Sequence, residues 1–166
     1  MATMYDQKLW TESVSAVTAT PSVTLGTRRW VNGNEYRYCY NGGGADADQR
    51  KIVCTMGYSY PNTFTVTTIS GSNVCPVIGL IDNATCAAGS YCWVLTKGNT
   101  KGMISGVSTL AVGGAVEYAR IVPCADGNIN IATGGTGTTG PTIGYLVSAI
   151  SDVTGTSVSV FVSTGF

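Results

Sequence analysis

Chemistry in this 166-residue chain has to come from a short inventory of side chains. Histidine is absent, which removes the commonest general base and the commonest nitrogen ligand for metals. The most reactive groups left are six cysteines: Cys39, Cys54, Cys75, Cys86, Cys92 and Cys124. They form no C-x-x-C pair and no Cys–His set, so no zinc site is expected. A thiol nucleophile needs a base or a cation beside it to lower its pKa, and the sequence places none. An even number of cysteines suits disulfides; buried, reduced thiols suit a cytosolic product equally. Both readings stand, and Cys86 with Cys92 is the local pair to inspect first.

Carboxylates offer little more. Asp46 and Asp48 lie beside a glycine run, a spacing shared by oxygen-rich calcium sites and by ordinary polar loops. A glycoside hydrolase would need paired carboxylates in one cleft, with Asp46, Asp48 and Glu117 as the candidates. The glycine-rich segment 132–141 lacks the Lys-Ser/Thr pair of a phosphate-binding loop, and the residues after it read as a strand instead of a helix. Asn83-Ala84-Thr85 matches a glycosylation sequon, but no secretory signal accompanies it. Lys97 and Lys101 straddle Gly98-Asn99, which reads as the solvated end of a hairpin. No catalytic residue, cofactor, small-molecule substrate or metal site is expected, and the chain reads as a non-enzyme.

Composition supports that reading. Hydrophobic residues are 44% of the chain, ample for a core at this length. Charged residues are only 11%, and nine basic side chains balance nine acidic ones. A neutral, charge-poor chain lacks the basic footprint of a nucleic-acid binder and the polarity of a disordered tail. No apolar run approaches the roughly 18 residues of a membrane span. Residues 1–10 show neither the basic start nor the apolar run of a secretory signal, so synthesis in a cytoplasm is expected.

The elements that would position these groups are strands. Apolar residues recur with period two, between Gly, Pro, Asn and Ser punctuation. Residues 1–27 read as an extended arm, and 28–166 as a single domain. Arg28–Val31 and Glu35–Tyr40 form a hairpin about Asn32-Gly33-Asn34, since Asn and Gly accept the positive φ angles of tight turns. In its second strand Tyr36, Tyr38 and Tyr40 share one face, and Glu35, Arg37 and Cys39 the other. Asp46–Cys54 reads as one short helix. Further strands are expected at 63–69, 74–81, 91–96, 102–107, 115–122, 142–150 and 157–163. In the last, Val158, Val160 and Val162 face one way, with the serines and Phe161 opposite. The fold class is all-β: a single antiparallel sandwich or barrel with an extended N-terminal arm.

Nine tyrosines and three tryptophans supply the amphipathic rings enriched where proteins meet. Tyr5, Leu9 and Trp10 are candidates to anchor the arm on another subunit, or to pack along the chain's own sheet. Arg28 and Arg29 are candidates to pair with a partner's acids, or to be solvated.

In order and spacing, Leu25-Gly26-Thr27, then Asn32-Gly33-Asn34-Glu35-Tyr36-Arg37-Tyr38, resembles the opening of many small structural proteins of tailed bacteriophages. Ala88-Gly89-Ser90-Tyr91-Cys92-Trp93-Val94 with Gly98 resembles their central strand, and Thr142–Ala149 with Ser157–Ser163 their closing hairpin. The likeness spans most of residues 24–163. It implies a capsid decoration, or cement, protein on the virion surface: a partner of the major capsid protein, self-associating as a homotrimer, its arm lying on neighbouring subunits. Six cysteines depart from the pattern. A tail or fibre component and a self-polymerising extracellular filament subunit are the alternatives.

Overall fold

The computed structural model describes residues 12–56, 64–68, 76–82, 84–103, 119–124, 127–131, 142–147 and 157–164. Among the described residues ten strands run in the order β1 (Arg28–Val31), β2 (Asn34–Asn41), β3 (Ile52–Thr55), β4 (Thr65–Thr68), β5 (Val77–Leu80), β6 (Tyr91–Met103), β7 (Arg120–Pro123), β8 (Ile129–Ile131), β9 (Gly144–Leu146) and β10 (Ser157–Ser163). β2, β4, β3, β5 and β6 succeed one another around a wall that the β2–β6 pairing closes, so the all-β fold contains a closed five-stranded barrel. The β2–β4 contact is parallel; the other strand pairings described are antiparallel.

The opening hairpin forms as its sequence dictates. Asn32 and Gly33 take φ of 50° and 80°, the paired left-handed angles that match a two-residue turn to the twist of its strands. Trp30 therefore pairs with Glu35, and Arg29 with Tyr36.

β6 is the organising strand. Its first half pairs with β2, from Tyr40↔Tyr91 to Glu35↔Lys97, and its second half with β10, from Ser163↔Lys97 to Ser157↔Met103. The hairpin end expected at Lys97–Lys101 does not exist: the strand runs straight through it. Gly98 makes the passage possible. Its φ is 134°, and a Cβ there would collide with the Asn34 carboxamide, whose Oδ1 instead accepts the Asn99 N–H at 3.0 Å.

The short helix expected over Asp46–Cys54 is also overturned. Ala47 bridges to Cys86, a turn comes next with Arg50 at φ 69°, and Ile52–Thr55 is β3. Buried apolar side chains there gain more in a sheet covered on both faces than a two-turn helix would supply.

Two cores form on the two faces of the barrel wall. One gathers Cys39, Val53, Val66, Ile78, Cys92 and Val94, at least one from each of the five barrel strands. The other joins Tyr36, Tyr38, Trp93 and Leu95 to the apolar face of β7–β10, with Ile121, Ile131, Leu146 and Val160. Beyond the barrel, β10, β9, β7 and β8 continue the sheet from the second half of β6.

Candidate interaction surface

The tyrosine face of β2 is roofed by the arm. Tyr38 is wholly buried; its ring lies 5.0 Å from Trp93 and stacks on Tyr91 at 5.9 Å. Its hydroxyl accepts the Ser22 N–H and Ser22 Oγ–H, both at 3.1 Å, and meets Thr18 Oγ1 at 3.2 Å. Thr18 and Tyr91 exchange backbone hydrogen bonds at 2.8 and 3.0 Å, while Val14, Val23 and Leu25 pack on the same core. Of the two placements open for the arm, residues 12–27 take the one along the chain's own sheet. Tyr5, Leu9 and Trp10 lie outside the described residues, as do Cys75 and Glu117.

Arg28 and Arg29 point to opposite faces of β1. Arg28 is half exposed, and its Nε lies 2.9 Å from Oε1 of the buried Glu35, which also meets Arg37 Nε at 3.8 Å. Arg29 donates to the Glu12 carbonyl and its guanidinium sits 5.7 Å above the Trp93 ring. Arg28 thus has an acid of its own chain, and Arg29 ties the arm to the barrel. Neither is held out as a free cation. Beside Arg28 on the same face, Trp30 is 57% exposed.

Asp46 sits on the exposed loop between β2 and β3, where its Oδ1 accepts the Ala88 N–H at 2.9 Å. Asn41, at the foot of that loop, is buried and donates to the carbonyls of Ala45 and Cys86 at 3.1 and 2.8 Å. Among the described residues no group of three His, Cys, Asp or Glu side chains converges as a metal-binding set.

The five described cysteines are free thiols, four of them buried. Cys39 and Cys92 face each other across β2 and β6, and Cys86 joins their core. Burial, then the neighbouring Cys86, pushes the Cys39 thiol well above the ordinary cysteine range. The hydrogen bond between Cys92 and Cys86, with burial added, raises Cys92; the same hydrogen bond lowers Cys86. This is the packing of small apolar groups, with Cys86 the most acidic of the three.

The sequence misses a second surface, on the outer face of β6, β10, β9 and β7. Val158, Val160 and Val162 are buried as their alternation predicts, so Ser157, Ser159, Phe161 and Ser163 face outward. Lys97, Asn99 and Lys101 are the register partners of Ser163, Phe161 and Ser159. Across the sheet Phe161 pairs with Tyr145, and Tyr145 with Arg120. Tyr145 and Val147 are each 43% exposed, and Lys97, Lys101 and Arg120 are exposed too. Three cations thereby frame an aromatic pair. The alternation of β10 points to one member of the set; the rest depends on register between distant strands.

Compared with known protein families and with curated proteins, the sequence matches none of them.

Proposed function

We propose that this chain is a decoration protein of a tailed-bacteriophage head, a non-catalytic structural component that binds the outer shell as an assembly of copies and braces the major capsid protein. The observation that carries the reading is where the three resembling segments lie. The Leu25–Tyr38 segment enters β2, β2 pairs with the Tyr91–Val94 half of β6, and the other half of β6 pairs with β10 of the closing hairpin. The segments that carry the likeness therefore form one continuous sheet. A barrel with both wall faces covered is a rigid body, suited to bearing load between subunits. Nothing in the proposed role needs a reacting group: affinity comes from buried apolar and aromatic surface, with charge setting orientation.

The test is co-sedimentation of the purified chain with phage heads assembled without it, together with its solution mass by light scattering. Saturable binding at a fixed copy number per head, by a closed oligomer of the free chain, is expected. Open-ended polymers, or no binding to heads, would overturn the reading; the first would favour a filament subunit.

A further inference from the structure

We infer that the outer face of β6–β10–β9–β7 docks onto the exposed Asp46 and Asp48 of the β2–β3 loop of a second copy of this chain, in a head-to-tail contact, Arg50 and Lys51 of the same loop being half-buried. The inference deepens the proposed function and rests on its premise that copies associate.

Charge gives the first reason. Lys97 and Lys101 stand on one face of β6, four residues apart, so their Cα atoms are about 13 Å apart. Arg120 stands three strands away, about 14 Å across the sheet, in the row Asn99–Phe161–Tyr145–Arg120 set by register. The three cations are the corners of a triangle with Phe161 and Tyr145 between them. None has an ion-pair partner among the described residues, whose ion pairs at β1 and β2 use Glu35. Exposed cations beside the exposed Tyr145 ring and the half-buried Phe161, with Val147 also uncovered, make a surface fitted to an anionic partner that brings some apolar contact.

The chain carries a matching piece. Asp46 and Asp48 are exposed on the β2–β3 loop, also without an ion-pair partner among the described residues. That loop is anchored: Ala47 exchanges backbone hydrogen bonds with Cys86 at 2.8 and 2.9 Å, and Gln49 donates to the Asp82 carbonyl at 3.0 Å. It presents its acids without needing to order on binding, which lowers the entropic cost of association. With zero net charge overall, separated patches of opposite sign favour one copy's acids meeting another's cations. A two-fold contact of the sheet face with itself would oppose like charges. The contact therefore joins unlike patches, and as a heterologous contact it closes a ring where its rotation repeats around an axis.

Sedimentation velocity at about 50 mM and about 500 mM salt tests this, since a contact steered by exposed charges weakens as the Debye length shrinks. The wild-type chain should associate at low salt and dissociate at least about tenfold more readily at high salt. K97E/K101E should weaken association about 100-fold, D46K/D48K likewise, and the protein carrying all four changes should recover most of it. Circular dichroism and thermal unfolding check each fold; if a reversal unfolds the chain, the milder K97A/K101A takes its place. A chain that is monomeric at every salt and concentration overturns the self-association premise and the inference with it. An oligomer indifferent to the reversals, or one the four-fold swap fails to restore, overturns the inference alone.

Discussion

The two halves of β6 are one strand in two environments. From Cys92 to Thr96 every residue is buried, because the barrel wall has a core on each side. From Lys97 to Lys101 exposed and buried positions alternate, apart from the half-buried Thr100, because β10 continues a sheet covered on one face only. The first half has no surface to offer a partner, and the second presents a row of side chains outward. Rigidity belongs to one region and recognition to the other, with Gly98 at the boundary.

That contrast can be broken most forcefully in the wall. Tyr38→Ala removes a buried ring and the acceptor of two hydrogen bonds from Ser22, and should cost about 3–5 kcal/mol in denaturant unfolding. Tyr145→Ala, on the open face, should stay within about 0.5 kcal/mol while weakening any association. Equal costs would erase the distinction between the regions.

Next in size is the boundary. Gly98→Val places a β-branched residue at φ 134° against Asn34 and should cost about 1–3 kcal/mol. A smaller loss would mean that the strand can pass from β2 to β10 without glycine.

The buried thiols sharpen the contrast through pH. Cys39 has a folded pKa raised by burial above its ordinary 9.0, while the hydrogen bond that raises Cys92 lowers Cys86 and the two oppose each other. Above that pH the unfolded chain releases a proton that the folded chain retains, so the Cys39 contribution is complete below pH 9.0 and is lost as pH rises. Stability should therefore fall in alkaline solution, and Cys39→Ala should flatten the slope, as urea midpoints across the range would reveal. Native alkylation should be slow at Cys39 and Cys92, which are buried, and complete in denaturant.

The smallest effect is at the hairpin. Arg28→Ala should cost about 0.2–1 kcal/mol, since half of that side chain is in water. A larger loss by thermal denaturation would show that Glu35 depends on Arg28 more than on Arg37.

Much of this architecture was legible. The Asn32-Gly33 turn, the tyrosine face of β2 and the valine face of β10 obey local rules of turn geometry and period two. Ile52–Thr55 was obscured because a strand buried on both faces does not alternate, and because Arg50 takes a left-handed turn angle usually signalled by Gly or Asn. Lys97–Lys101 looked like a turn because glycine usually marks one; here it admits the Asn34 side chain. The cationic face was illegible for a further reason. Its members come from β6, β7, β9 and β10, and register alone brings Arg120, Tyr145, Phe161 and Asn99 into one row.

Amine footprinting tests most directly whether recognition lies on the open face. The chain is labelled with an acetylating ester when dilute and when assembled, and modification is read per lysine by mass spectrometry. Lys97 and Lys101 should lose most of their labelling on assembly, while Lys51, whose Nζ donates to Asn128 at 2.6 Å within the same copy, keeps its own. Unchanged labelling of Lys97 and Lys101 in an assembled sample would contradict the account.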